Sequence, residues 1–595
     1  QITQFLAFAA EEATPAIQRI QGAAHRSPIE GDWVYGVMGT VTAVDPRRGF
    51  WMQAAAGDGT LATADGLFVS GEGAADLAPG DAVRVSGRVA ELARSGNLPV
   101  TTLEAFSWDV DARGRPLPAP VRLVHEPLAE THGASAARVL PGTIVDDDGL
   151  ESFDPATDGA DSWESLEGMR VTIHQPLVIG PTTRYGGIGV LAEGGRGAAP
   201  RTRRGGLRLS EDDLNPERIL LSSRVTGRPP SVAVGDVFSQ PITGVVDHDF
   251  GHYRVVVSEP FPAIESADLL PERTTLAAGD GSLRVATCNA LNLGGNAGDE
   301  RMERLAREIV ESLGAPDLIA LEEIQDDSGA TDDGTVRAAL TLGRLTEAIV
   351  AAGGPHYEWL QIDPIDGRDG GQPGGNIRVA LLFDPRRFGL ERRPAAGTSS
   401  ASADRPVAAL DTSGGAIHLA ANPALIAPDD SAFDHSRKPL VAELTLDGAP
   451  FFVVALHLAS KGGDDPVFGV RQPPVPGSEV QRREQAARVG EFVTALLAAA
   501  PEARLVVLGD LNEHDFRAPV RALVDRGLVN LVSGLPEDDR YSFNYEANSQ
   551  LLDHVLVSPA LAAGAELDIV HMNADYPFDR QTSDHDPLVA RLPLP

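Results

Sequence analysis

Five apolar runs in the second half of this chain end on residues that can handle phosphate, protons or a metal. Leu283-Arg-Val-Ala-Thr-Cys288 runs into Asn289, and Leu318-Ile-Ala-Leu321 runs into Glu322-Glu323. Phe451-Phe-Val-Val-Ala-Leu456 ends on His457, and Leu505-Val-Val-Leu508 leads into Gly509-Asp510-Leu511-Asn512. Near the end of the chain come Asp553, inside Leu552–Val557, and the run Ser583-Asp584-His585-Asp586-Pro587. If these strands lie side by side, their ends converge on one cleft of carboxylates, amides and imidazoles. No serine or cysteine stands where a nucleophile would. Carboxylate and amide oxygens are the ligands that Mg²⁺ and Ca²⁺ prefer. Such an ion polarises a phosphoryl oxygen and helps water attack it. Turn chemistry is the competing explanation for Asp510, Asn512 and His585, since Asp and Asn favour turns after strands.

The elements that would hold these residues follow from periodicity. From Leu283 onward, strands alternate with helices. The spacing of Met302, Leu305, Ile309 and Leu313 predicts a helix over Asp299–Leu313. Further helices are expected over Thr335–Ala352 and Glu479–Ala499, and strands over Val379–Phe383 and Leu588–Leu592. This is a mixed α/β domain with sheet layers covered by helices. Because neighbours on a strand face opposite ways, His554, beside Asp553, is expected to be structural. Cys288 reads as a small buried apolar residue.

Upstream the texture is different. Trp33–Leu92 reads as short strands punctuated by Gly, Asp and Pro, which means a small sandwich or barrel. Its order of glycine-flanked strands resembles an OB-fold module, in which Phe50, Trp51 and Phe68 are core residues or stacking groups. Arg115-Pro-Leu-Pro-Ala-Pro120 reads as a linker. A second β-rich region over about 121–262 has its clearest strands at Gly168–Ile173, Gly189–Leu191 and Tyr253–Val257, and a further break runs through Ser266–Ser282. The expected domains are therefore 14–110, 121–262 and 281–595.

Six motifs in the last region occur together and in order: Thr287-Cys-Asn289-Ala-Leu-Asn292, Leu321-Glu-Glu323-Ile-Gln325, Leu456-His457-Leu-Ala-Ser460-Lys461, Gly509-Asp510-Leu-Asn512, Leu552-Asp553-His554 and Ser583-Asp584-His585-Asp-Pro587. This set resembles the endonuclease/exonuclease/phosphatase superfamily over residues 283–595. The two upstream β modules look like those of large secreted bacterial extracellular nucleases. The resemblance implies a four-layer α/β sandwich and a divalent cation, Mg²⁺ or Mn²⁺, with Ca²⁺ a further candidate. It makes Glu323 the principal metal ligand, assisted by Asn289 and Asp584. It places Asp510 near the attacking water and Asn512 against the phosphate. His585 exchanges a proton or stabilises the pentavalent phosphate, held in orientation by Asp553, and His457 approaches from the other side. Arg437, Lys438, Arg482 and Arg483 stand where the family contacts the phosphodiester. Glu322 departs from the family, which often has Gln there.

The implied activity is a secreted, metal-dependent phosphodiesterase acting on nucleic acid: a nonspecific or DNA-preferring endonuclease leaving 5′-phosphate and 3′-hydroxyl ends. A phosphatase or lipid phosphodiesterase, or a surface-binding protein with a vestigial site, are the alternatives. Composition bears on these readings. In 595 residues, 85 Asp+Glu against 50 Lys+Arg give a net charge of -35, which excludes a passive electrostatic nucleic-acid binder. Lys438 and Lys461 are the only lysines. One cysteine excludes a disulfide framework, and the apolar runs are too short for a membrane span. No protein partner is indicated.

Overall fold

A computed structural model of the chain describes residues 16–93, 96–127, 137–279, 281–394 and 405–594. Five strands, Trp33–Asp45, Gly49–Gln53, Gly66–Ser70, Ala82–Leu92 and Val100–Ala112, close into a barrel in which the first strand pairs with both the second and the fourth. The fifth strand lies beyond the stretch in which strands were expected. Phe50 fills the barrel interior with Val37, Val41, Val85 and Leu103. Its neighbour Trp51 faces outward and packs with Phe68 against Val245 and Val256 of the next sheet. All three are buried, so none is a stacking surface, and the exposed aromatic residues of the barrel are Trp33, Tyr35 and Phe106.

The second region builds a ten-stranded sheet that runs from Val121 to Glu265. The short helix Gly159–Glu164 packs against it through Trp163, which lies parallel to Tyr253 at 6.1 Å.

The described residues between 282 and 593 form four layers. A six-stranded sheet has the order Glu358–Leu360, Arg378–Phe383, Leu318–Ile324, Ser282–Leu293, Leu588–Pro593, Glu566–Ile569. The facing sheet has Leu440–Leu446, Ala449–His457, Arg504–Asp510 and Asp553–Val557 at its centre. The strands are apolar on both faces because each sheet is covered twice. Val506 and Leu508 join the core between the sheets, while Leu505 and Val507 meet the helices Glu479–Ala499 and Ala518–Val524. On the other sheet, Leu283 and Val285 face inward and Ala286 and Cys288 face the helices Asp299–Arg307 and Ala339–Ala351. The expected helix over 299–313 continues past Arg307 as one wider turn, Glu308–Ser312. Among the described residues, no helix is long and apolar enough to cross a membrane.

Candidate active site

Strand parity explains how the site forms. Val453 and Ala455, Val506 and Leu508, and Val555 and Val557 all point into the space between the sheets. Two residues along each strand, His457, Asp510 and Asp553 therefore point the same way. The registers align them, since His457 pairs with Asp510 across parallel strands and Asp510 pairs with Asp553 across antiparallel ones. From the opposite sheet, Asn289 follows Leu283 and Val285 on the inner face. Its amide donates to Asp510 Oδ2 at 3.4 Å and to Glu323 Oε1 at 3.3 Å, joining the two sheets.

Two adjacent glutamates on one strand should not both face this space. Glu322 does so by parity, and its Oε1 accepts from Thr287 Oγ1 at 2.8 Å. Glu323 joins it because its backbone turns into the left-handed region, with φ at 56°, where the pairing with Arg378–Phe383 slips. Asn512, with φ at 50°, is held in the same region, as are Asn292 at 55° and His435 at 50°. A non-glycine residue held in that region is strained and persists only where its surroundings fix it.

Asp510 is the hub. Its Oδ1 accepts the Asn512 backbone N–H at 2.8 Å, and its Oδ2 faces the Asn512 amide at 3.3 Å, His457 Nε2 at 3.4 Å and His585 Nε2 at 3.8 Å. Burial pushes the Asp510 carboxyl up to about 7, with His585 pulling against it. His585 Nδ1 lies 2.8 Å from Asp553 Oδ2, which also accepts from Ser542 Oγ at 2.6 Å. Burial lowers the affinity of His585 for its proton, but Asp553 and Asp510 together outweigh it and raise the imidazole well above its ordinary range. His457 is held well below its ordinary range by burial, Arg437 and His585, so it is a neutral imidazole.

Glu323 Oε2 and Asp584 Oδ1 are buried and accept no hydrogen bond. They offer carboxylate oxygens beside Asn289, whose amide nitrogen points at Glu323 and Asp510 while its oxygen accepts from Leu291 N, and unpaired buried carboxylate oxygens are costly unless a cation meets them. This donor set fits a hard divalent ion and does not fit one that prefers sulfur or nitrogen. An open cleft of about 620 Å³ leads to it, lined among others by Asn292, Glu323, Gln372, His435, Arg437 and His457.

The four expected phosphate contacts separate sharply. Arg437 lines the cleft, anchored through the Leu458 carbonyl, with its Nε free of partners. Lys438 instead turns to Asp369 at 3.0 Å and to the carbonyls of Phe433 and Ser436. Arg482 is completely buried, forked onto Glu513 Oε2 at 3.0 and 2.8 Å and bonded to the carbonyls of Ala459 and Ser460. Its expected contact with substrate is corrected: the guanidinium supports the loop after His457, and Glu513 leaves it no free donor fork for phosphate. Lys461 shares that carboxylate at 3.1 Å. Arg483 is exposed on the helix surface. His554 faces the helices, bonded to the Glu513 carbonyl and Asn530.

Sequence reasoning missed Ser542 and Phe543. They open the hairpin Phe543–Tyr545/Asn548–Gln550, and the Phe543 ring lies 4.7 Å from that of His585. No strand-end motif marks them. Their signal is only a polar-apolar alternation in Ser542-Phe-Asn-Tyr545.

The Glu322 departure has a physical reading. Burial, reinforced by Asp553 and Asp510 and opposed by the Thr287 bond, holds its carboxyl well above the carboxylate range. It is therefore a neutral acid, close in shape and charge to glutamine. A carboxyl with a raised folded pKa favours the folded state at low pH, and that contribution is lost as pH rises from the unfolded value of about 4.3 through the folded one. Glu322→Gln is expected to flatten this dependence. In EDTA at pH 8 the variant should melt at or above the wild type, with the gap closing near pH 4. A variant that melts lower at pH 8 would mean that Glu322 is ionised.

Residues 286–585 match the Endonuclease/Exonuclease/phosphatase family, and residues 133–266 match a domain of unknown function, DUF8508. No curated protein matches the chain. Among solved structures, a humanized D. rerio TDP2 is similar at 16% identity, over 53% of this chain and 99% of that one, with a TM-score of 0.33. The human Nocturnin catalytic domain with bound sulfate is similar at 17%, over 54% and 96%, at 0.33. A Bacteroides thetaiotaomicron mannosyl-6-phosphatase is similar at 16%, over 52% and 99%, at 0.31.

Proposed function

The chain belongs to the endonuclease/exonuclease/phosphatase family, and from that premise we propose that it is a metal-dependent phosphodiesterase that cuts nucleic acid, DNA by preference, within the strand. The observation that carries this reading is the meeting of Asp510, His585 and Asp553 with the partnerless oxygens of Glu323 and Asp584. A divalent cation held by Glu323, Asp584 and Asn289 would supply charge neutralisation at the phosphoryl oxygens.

The chain's own residues do the rest. Asp510, raised toward neutrality, takes a proton from the attacking water. His585, charged and fixed by Asp553, donates through Nε2 to a non-bridging phosphoryl oxygen on the Asp510 side, and the leaving 3′ oxygen, opposite, takes its proton from solvent. Neutral His457 and the Asn512 amide orient the non-bridging oxygens, and Arg437 supplies the fixed positive charge of the cleft. Attack in line from the Asp510 side breaks the bond to the 3′ oxygen and leaves the 5′ phosphate. An open trough suits a polymer passing through better than an enclosed pocket would. We also read the closed five-strand barrel as an OB-like module, supported by its order first-second-third-fifth-fourth.

The test is closed circular plasmid incubated with Mg²⁺, with and without EDTA, beside a Glu323→Gln variant. Nicking followed by linearisation, lost in EDTA and in the variant, is the expected result. A plasmid left intact under Mg²⁺, Mn²⁺ and Ca²⁺ would refute the endonuclease reading, and small phosphodiesters, phosphomonoesters and lipids would then be tested in turn.

A further inference from the structure

A second group of carboxylates lies in the ten-stranded sheet region, away from the cleft. One oxygen from each of Asp146, Asp158 and Asp161 lies within 4.8 Å of the other two, and all three residues are buried. Asp158 is 3% exposed and Asp146 8%, yet Asp158 Oδ1 and Asp146 Oδ2 accept no hydrogen bond. Asp146 and Asp161 are fixed in place by their other contacts. Asp146 Oδ1 accepts from the backbone of Gly149 and Leu150 at 2.7 and 3.0 Å. Asp161 Oδ2 accepts from Asp154 N at 2.6 Å, and its Oδ1 lies 2.7 Å from His25 Nε2. Glu164, one turn on, also faces His25, at 3.5 Å. The single histidine therefore serves Asp161 and Glu164, and no Arg or Lys ion pair is formed by Asp146 or Asp158 among the described residues.

Buried carboxylates gathered this closely, with two oxygens lacking a donor or a cation, repel and are poorly solvated. Oxygens held within about 5 Å of one another are spaced to share one cation at the 2.3–2.6 Å typical of Ca²⁺. The donors are all oxygen, which excludes a soft metal, and the loop Asp146-Asp-Asp-Gly149 is long enough to add a carbonyl or the exposed Asp147 carboxylate.

We propose that Asp146, Asp158 and Asp161 form a structural Ca²⁺ site that ties the loop 146–161 to the helix Gly159–Glu164. Through Asp161 and His25 the same ion stiffens the joint between the barrel region and the second sheet. That joint is also held by Gln21, whose amide reaches the Gly66 carbonyl and Glu167, and by Thr101 N donating to Glu167. The proposal does not depend on the reading of the cleft.

The test uses the full chain carrying Glu323→Gln, Asp510→Asn and Asp584→Asn, so that neither Glu323 and Asp584 nor the group Asp510, Asp553 and His585 is left intact in the cleft to compete for metal. Chelator-treated protein is titrated calorimetrically with CaCl₂ and melted with and without it. One Ca²⁺ should bind per chain, and a saturating excess should raise Tm by roughly 5 °C. Adding Asp146→Asn and Asp158→Asn should abolish both effects. Because the amides relieve the repulsion while keeping the Gly149 and Leu150 bonds, this variant should melt, free of calcium, no lower than its parent. Absence of binding in the parent, or binding undiminished in the Asn variant, would overturn the proposal. If the Asn variant does not fold, the parent titration decides alone: a null titration overturns the site, and one bound ion with the Tm rise supports it.

Discussion

Replacing Asp553 by Asn is expected to lower kcat about 10³–10⁴-fold with little change in KM, by the logic that governs a carboxylate behind a reacting imidazole. Asp553 Oδ2 accepts from Ser542 Oγ at 2.6 Å and meets His585 Nδ1 at 2.8 Å, and its charge is the main force that raises His585 against burial. Asparagine preserves the volume and removes the charge. Its amide nitrogen can also turn toward Nδ1, which leaves a neutral imidazole with its proton on Nε2, a far weaker acid than the imidazolium. In either orientation the imidazolium that faces Asp510 loses its support. Steady-state kinetics on a nicked-plasmid or small diester assay would show it, with melting to confirm the fold. Ser542→Ala, which removes one bond to the same oxygen and leaves the charge, should cost far less, about tenfold. If Asp553→Asn keeps kcat within tenfold of wild type, His585 does not work through Asp553.

The largest expected effect on stability arises far from the cleft. The hairpin Phe543–Tyr545/Asn548–Gln550 presses its turn into the ten-stranded sheet, where Ala547 packs with Ile179, Leu191 and Leu220. Gly180 and Gly189 on that sheet make room for it. A Cβ added at Gly189 would lie 2.0 Å from Ala547 Cβ but 3.3 Å from its Cα, whereas one at Gly180 would meet the Cα at 2.8 Å. Gly189→Ala should therefore cost about 1–3 kcal/mol as an overpacked contact. It should also lower kcat, because a displaced hairpin shifts Ser542 and Phe543 beside Asp553 and His585. Ala547→Gly should restore both in the double variant, since it removes the clashing methyl and relieves a backbone at φ 64°. Gly180→Ala should be rescued only in part, because its Cβ would meet the Ala547 Cα as closely as the Cβ, both at 2.8 Å, and only the Cβ is removed. Urea melts and kcat for the four variants test this, and equal rescue at both glycines would refute the geometry.

The hairpin is also where sequence reading stops. Asn289, Glu323, His457 and Asp510 stand out in the sequence because each follows an apolar run, Asp553 because it opens one, and His585 because it lies in the Ser583-Asp-His-Asp-Pro587 run before the last strand. Parity even foretold that His554 would turn away from Asp553. Nothing local reveals that Arg482 folds inward onto Glu513, since an arginine on a helix reads alike whether it meets substrate or a buried acid. The fifth barrel strand, Val100–Ala112, lies outside the expected strands although Phe106-Ser-Trp-Asp-Val-Asp-Ala112 alternates apolar and polar residues, the period of a half-buried strand. Asp146, Asp158 and Asp161 are separated by loop and helix, and only the packing of that helix brings their oxygens together.

The order of strands in the six-stranded sheet has a consequence for synthesis. Leu588–Pro593 lies between Ser282–Leu293 and Glu566–Ile569, pairing with both, and Asp584 and His585 immediately precede it. A nascent polypeptide of 550 residues would carry the barrel, the second sheet and part of the cleft, yet lack the strands Asp553–Val557, Glu566–Ile569 and Leu588–Pro593 and, with them, Asp553, Asp584 and His585. Hydrolytic competence should therefore arrive in a single late step, after residue 593 has cleared the ribosome, and partial translation products should be inert.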